Sequence, residues 1–293
     1  MPQPAPAVGL ETPGVPGALL GVSADSWGWL ESLPELELLP GVSATTGRVP
    51  GAAKQAVADC LPLANRAMAS GCERTQSLGW RLLFVVQACV LSQPGRGGKS
   101  GAREINLLAS RLLSGDWESL WAHRAQKAGR PRQQDSGVAR AVARATTLAR
   151  EGRLQEAMKA LLRTPMARGN PHLLEALKGL HPAAADPAAP AEGAPAVSLP
   201  PELVLKLAGA SPRGRAAGVD GSLYEHVAIS AKLGDTEALC GVVDSIANGT
   251  LCAGARRLAA CCRLMALLKP NGKHRPIGLE NSSCLREFKL WLL

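Results

Sequence analysis

Apolar positions recur at helical spacing along most of this chain, and the recurrence breaks mainly at glycine or proline. Ser26–Leu39 carries Trp27, Trp29, Leu30, Leu33, Leu36 and Leu38, which predicts a short helix broken at Pro34 or a peptide that docks on a partner. Ala52–Ser70, with Val57, Leu61 and Met68, predicts a helix that Pro62 kinks. Ala102–Ala128 predicts a helix interrupted near Gly115, with Leu107, Leu108, Leu112, Leu113, Leu120 and Trp121 at helical spacing. Val138–Leu162 predicts two helices broken at Gly152. The first turns Val138, Val142, Ala145 and Leu148 inward and Arg140, Arg144 and Arg150 elsewhere. The second carries Leu154, Met158, Leu161 and Leu162 on one stripe, giving a helix-turn-helix of the kind that packs in small all-α modules. Asn170 is an N-cap residue type and Pro171 suits a first turn, so Pro171–Leu180 is read as a third helix. Further on, Pro201–Ala208, Leu223–Leu233 and Thr236–Ala247 read as helices, and Asn248-Gly249 as a stop.

Two stretches depart from that period. Gly79–Leu91 (GWRLLFVVQACVL) is apolar and β-branched and reads as a strand, followed by a glycine-rich loop and Lys99-Ser100. Strand, glycine loop and Lys-Ser is the order of a phosphate loop, but that pattern needs glycine where Gln93 stands, so a flexible basic turn is the reading kept. Residues 266–292 (ALLKPNGKHRPIGLENSSCLREFKLWL) read as strand, tight basic turn, strand and helix, a hairpin whose tip could grip a polyanion.

Residues 1–22 are rich in Pro, Gly and Ala, and residues 181–200 have linker composition. The expected organisation is 1–50 mostly disordered, 51–180 a basic helical region, 181–200 a linker and 201–293 a final domain. The expected fold class is mainly α with a small, incomplete α/β part.

Composition sharpens this picture. Aromatic residues are only 3% of the chain, so cores have few large anchors. Net charge is +9, and residues 96–163 hold 14 basic against 6 acidic side chains. A surplus of that size suits a nucleic acid through counterion release, and equally suits a solvated helical face. The eight cysteines (60, 72, 89, 240, 252, 261, 262 and 284) form no Cys-x-x-Cys pair, and Cys261-Cys262 are read as neighbours on a helix. Reduced thiols, the lack of a basic n-region before an apolar core, and no run long enough to span a bilayer point to an intracellular protein, of nucleus or cytoplasm, without a membrane partner.

Three pieces in the last third line up. Gly218-Val219-Asp220-Gly221 with Tyr224-Glu225-His226 opens it, helices follow, and Arg263–Lys269 leads into Pro270-Asn271-Gly272-Lys273-His274-Arg275-Pro276-Ile277. Together these resemble the opening of a reverse transcriptase domain of the non-LTR retrotransposon and group II intron type. Such domains begin with a G-x-D-G turn and continue to a K-x-x-G-K-x-R-P-I fingers hairpin. Upstream stretches, Cys89–Gly98, Leu112–Trp121 and Arg150–Pro182, look like the segment that precedes the polymerase domain in such reading frames.

The resemblance implies that Arg275, supported by Lys269 and Lys273, approaches the triphosphate of an incoming deoxynucleotide, and that Arg286 and Lys289 lie near template or nucleotide. It implies a structural turn at Gly218, Asp220 and Gly221, with the Asp220 carboxylate capping turn and helix, and packing or hydrogen-bonding roles for Tyr224 and His226. The residues support the hairpin independently. Lys and Arg give charge-assisted bonds to phosphate, Gly272 allows close backbone approach, and Pro276 holds Arg275 extended.

Polymerases of this class hold two metal ions on carboxylates, and this sequence has no Asp-Asp pair and no aspartate after Asp244. The expectation is therefore an N-terminal fragment ending in the fingers, inactive alone, with Mg²⁺ needed only by a complete polymerase. The competing expectations are a non-enzymatic basic helical module that binds RNA or DNA through residues such as Arg140 and Arg144, and a product without folded function.

Overall fold

The computed structural model describes residues 22–34, 38, 49–91, 98–128, 137–150, 152, 154–161, 171–180, 196–210, 217–260, 262–268 and 274–280. Helix dominates them. The elements are α1 (Ala24–Ser32), a 3₁₀ turn (Gly51–Ala53), α2 (Lys54–Met68), α3 (Glu73–Val86), a π-helical turn (Gln87–Leu91), α4 (Gly98–Leu113), α5 (Trp117–Ala128), α6 (Gly137–Arg150), α7 (Leu154–Leu161), α8 (Pro171–Leu180), α9 (Pro201–Ala210), α10 (Tyr224–Leu233), α11 (Thr236–Ala247), α12 (Ala253–Ala260), β1 (Cys262–Leu268) and β2 (His274–Glu280). The mainly α class is the observed one. The residues 1–21 and most of 181–200, read as disordered and as a linker, lie outside the described part.

Two compact units are formed: Met1–Lys127 with Glu192–Cys262 and Glu280–Leu293, and Ala128–Ala191 with Arg263–Leu279. The first unit thus joins segments from both sides of residues 181–200. The reason lies in α2. Its residues Val57, Ala58, Cys60, Leu61, Leu63, Ala64, Ala67 and Met68 are all buried, so it is apolar around most of its circumference. A helix of that kind needs neighbours on several sides. It packs on α3 and α4 from the first part of the chain and on α10 and α11 from beyond residue 200. The helix also runs through Pro62, which lacks the N–H that would bond Ala58 O. Gly234 sits against that carbonyl: a Cβ there would lie 3.0 Å from Ala58 O and 2.7 Å from Ser230 O.

The strand expected over Gly79–Leu91 is corrected by the structure. Those residues belong to α3 and the π-helical turn, and Leu78, Trp80, Leu82, Leu83, Phe84, Val85, Val86 and Val90 are buried. Burial on all sides removes the alternation that separates strand from helix, and tertiary packing then overrides β propensity. A strand before the glycine-rich 92–97 segment is thereby absent, and with it the context a phosphate loop requires.

Turns end where glycine adopts positive φ. Gly115 (φ +85°) closes α4, with Gly115 N donating to Leu112 O and Asp116 N to Arg111 O, a Schellman-type stop. Its carbonyl also accepts from Ser26 Oγ at 2.8 Å, tying α1 to the end of α4. Beside this joint Trp27 meets Trp117 edge to face, ring centroids 4.9 Å apart. The thiols of Cys60 and Cys89 are buried in the same core, and burial raises both to about 12. Cys60, Cys72, Cys89, Cys240 and Cys252 are free thiols.

Asp235 is the N-cap of α11, accepting from Ala238 N at 2.9 Å and from Arg66 Nε of α2 at 2.7 Å. The Ala238 amide above all, and then Arg66, hold its carboxyl below the ordinary 3.8. A depressed carboxylate stabilises above its unfolded pKa and loses that contribution as pH falls through the folded value. Asp235→Ala is expected to cost about 1 kcal/mol at neutral pH. In urea unfolding curves the difference from the parent should shrink steadily below pH 3.8; a cost independent of pH would contradict this account.

In the second unit α6 and α7 form a helical hairpin whose connection carries Gly152 at φ +75°. Ala145, Leu148, Ala157 and Ala160 fill its seam. Val138 and Val142, expected inward, are exposed. Small residues close the seam, and the valines lie to one side of it. Strands β1 and β2 pair into a two-stranded sheet. The five residues that join them are too few for a crossover, so the pairing is antiparallel. The helix expected to include Cys261-Cys262 ends at Ala260, and Cys262 opens β1.

Candidate functional site

Residues 262–280 and the 218–226 turn hold most of the sequence-based candidates. In the hairpin, β1 begins at Cys262 and β2 at His274, so Arg275 is the second residue of β2. Lys269 and Lys273 belong to the connection 269–273, outside the described residues, as do Arg286 and Lys289. Arg140 lies in α6 with its side chain outside the described part, and Arg144, also in α6, is exposed.

The turn before α10 belongs to the first unit and is built from short polar contacts. Gly221 takes φ +80° and donates its N–H to Gly218 O at 3.3 Å. Asp220 is fully buried, and its Oδ1 accepts from Ser222 N at 3.1 Å, an Asx turn. Leu223 N donates to His226 Nδ1 at 3.3 Å, so the third residue of α10 reaches back to the amide ahead of the helix. With Nδ1 accepting, the neutral imidazole carries its proton on Nε2.

Sequence reasoning missed what this turn faces. Asn65 of α2 donates from Nδ2 to Ser230 Oγ at 3.1 Å, and Gln87 opens the π-helical turn. Asn65, Gln87, Ser222, His226 and Ser230 share an apolar-walled cavity of about 30 Å³. Gln87 Oε1 is buried without a hydrogen-bond partner. A cavity of that size can hold a water, which would supply the missing donor. The available signal was the amide itself: Gln87 is an isolated polar residue inside an apolar run, and Asn65 directly follows the apolar stretch 60–64.

Chemically this cluster can order the start of α10 and fix one histidine tautomer. Among the described residues no three His, Cys, Asp or Glu side chains stand together so as to hold a metal ion. No helix among the described residues is long and apolar enough to cross a membrane. Compared with protein-family models, curated proteins and solved structures, the chain matches none.

Proposed function

We propose that residues 262–280 form a phosphate-gripping hairpin for nucleic acid or a nucleoside triphosphate, in a chain related to the reverse transcriptases it resembles. What supports the reading is the pairing of β1 with β2; in the sequence the basic stretch 269–273 joins these two strands, and Arg275 is the second residue of β2. Cations gathered at the end of a two-stranded ribbon can close on phosphate oxygens, and Arg binds them in a bidentate fork. Catalysis is not assigned to these residues, because the acidic pair that would hold two metal ions has no counterpart in this sequence.

Fluorescence anisotropy tests this with the full chain and labelled single-stranded RNA, in competition with a deoxynucleoside triphosphate and with inorganic triphosphate. Affinity should fall steeply with salt, and the combined variant K269A/K273A/R275A should bind at least about tenfold more weakly. Each lost phosphate contact should also reduce the logarithmic salt slope by about 1. Displacement by inorganic triphosphate alone marks a general phosphate grip; displacement only by the nucleotide marks base or sugar recognition. Unchanged affinity and slope in the triple variant would overturn the proposal.

A further inference from the structure

Val197, Ser198 and Leu199 lie along the end of α11, held there through their main chain by two of its side chains. Asn248, the C-cap of α11, accepts from Val197 N through Oδ1 at 2.7 Å and donates from Nδ2 to Val197 O at 2.7 Å. The same Nδ2 donates to Asp244 O at 2.8 Å, so α11 itself holds the amide in that orientation. Asp244 Oδ1 accepts from Leu199 N at 2.9 Å. Later residues of the segment meet earlier residues of α11, so the two run antiparallel. Four residues of helix span about 6 Å and two residues of extended chain about 6.6 Å, so the two acceptors match two alternate N–H groups. Exposure alternates in step: Val197 and Leu199 are half-buried, and Ala196, Ser198 and Pro200 are exposed. Leu199 packs on the cluster that holds Val204, Leu239 and Val243. Pro200 favours an extended Leu199.

We propose that Asp244 and Asn248 form a binding site for extended peptide backbone, occupied here by the chain's own residues 197–199. Both side chains address main-chain groups, as a neighbouring strand would. The site therefore selects an extended conformation and two free N–H groups, and it tolerates varied side chains. Its ligand is a short extended segment with aliphatic side chains at two alternate positions and proline at neither. Within residues 181–200, Val197 and Leu199 are the only aliphatic side chains larger than alanine apart from proline, so the bound stretch is the one that fits. The tether supplies it at an effective concentration on the order of millimolar, which keeps the site filled from within the chain. Because α9 begins at Pro201, the clasp also sets the direction from which the chain enters that helix. The site is separate from residues 262–280 and does not depend on the phosphate-grip reading.

Fluorescence anisotropy with a labelled synthetic peptide of residues 194–201, added to the full chain, tests this. In the parent the chain's own segment fills the site, and the peptide should not bind. V197P/L199P deletes both N–H donors from that segment and should bind the peptide at least about tenfold more tightly than the parent. Adding N248A should remove the gain. A peptide with proline at the same two positions should bind none of these proteins. V197P alone, four residues ahead of α9, is the milder form, and circular dichroism should give it the helix content of the parent. Amide exchange followed by NMR reads the internal contact directly. N248A should speed exchange at Val197 and D244A at Leu199, whereas D244N, which keeps an acceptor oxygen, should leave Leu199 protected. Failure of the peptide to bind folded V197P overturns the proposal. So does binding that N248A leaves unchanged, or amide exchange that N248A and D244A do not alter.

Discussion

Replacing Gly79 by alanine is expected to destabilise the first unit by about 2 kcal/mol, and by valine more than about 4 kcal/mol, the reverse of what helix propensity dictates. Gly79 lies inside α3, where glycine to alanine ordinarily gains about 1 kcal/mol. Here a Cβ would stand 2.4 Å from Met68 N and 2.7 Å from Ala67 C, both backbone atoms of α2. Backbone cannot rotate away as a side chain can, so α2 and α3 would have to separate along a contact that both use for their core. Gly28, inside α1, is the control, because nothing lies within 4 Å of its added Cβ. Gly28→Ala should be neutral or stabilising by up to about 1 kcal/mol. Urea midpoints for the two variants should move in opposite directions. A stabilised Gly79→Ala chain would mean that α2 and α3 do not cross at the observed distance.

The second large effect is expected at Trp117. This side chain is fully buried, meets Trp27 edge to face, and donates from Nε1 to Leu112 O at 2.7 Å. Three elements converge on it: α1 through Trp27, the end of α4 through Leu112, and α5, which it opens. Trp117→Ala should cost about 4 kcal/mol, from lost burial and the cavity left behind. Trp117→Phe retains most of the ring and removes the donor, so its cost should be smaller, about 1–3 kcal/mol. Because aromatic residues are only 3% of the chain, few other side chains can compensate. Equal costs for the two variants would assign the whole effect to the hydrogen bond and contradict the packing account.

Helix positions were largely legible in the sequence because punctuation and periodicity agreed. Gly115 and Gly152 break helices where the pattern does, each with positive φ. Asn248-Gly249 follows α11 as a stop signal should. The strand reading of Gly79–Leu91 failed for the same reason that α2 is central. When every side of a segment is buried, period 2 and period 3.6 leave the same unbroken apolar run. The return of α10 and α11 to α2 was illegible because a Pro/Ala-rich stretch reports local composition and carries no information about which later helices cover it. The polar lining of the cavity was illegible for a related reason. Asn65 and Ser230 are far apart in sequence, and only the packing of α10 against α2 brings them together. Exposure of Val138 and Val142 was hidden by their regular spacing, which gives a stripe but does not say whether anything covers it.

Hydrogen–deuterium exchange on the full chain, with and without single-stranded RNA, bears most directly on the phosphate-grip reading. That reading predicts slower exchange in peptides spanning 262–280 when RNA is added, with the effect lost in K269A/K273A/R275A. Protection confined to α6 around Arg144, or no change across 262–280 while RNA is demonstrably bound, would contradict it and move the contact to the basic helices.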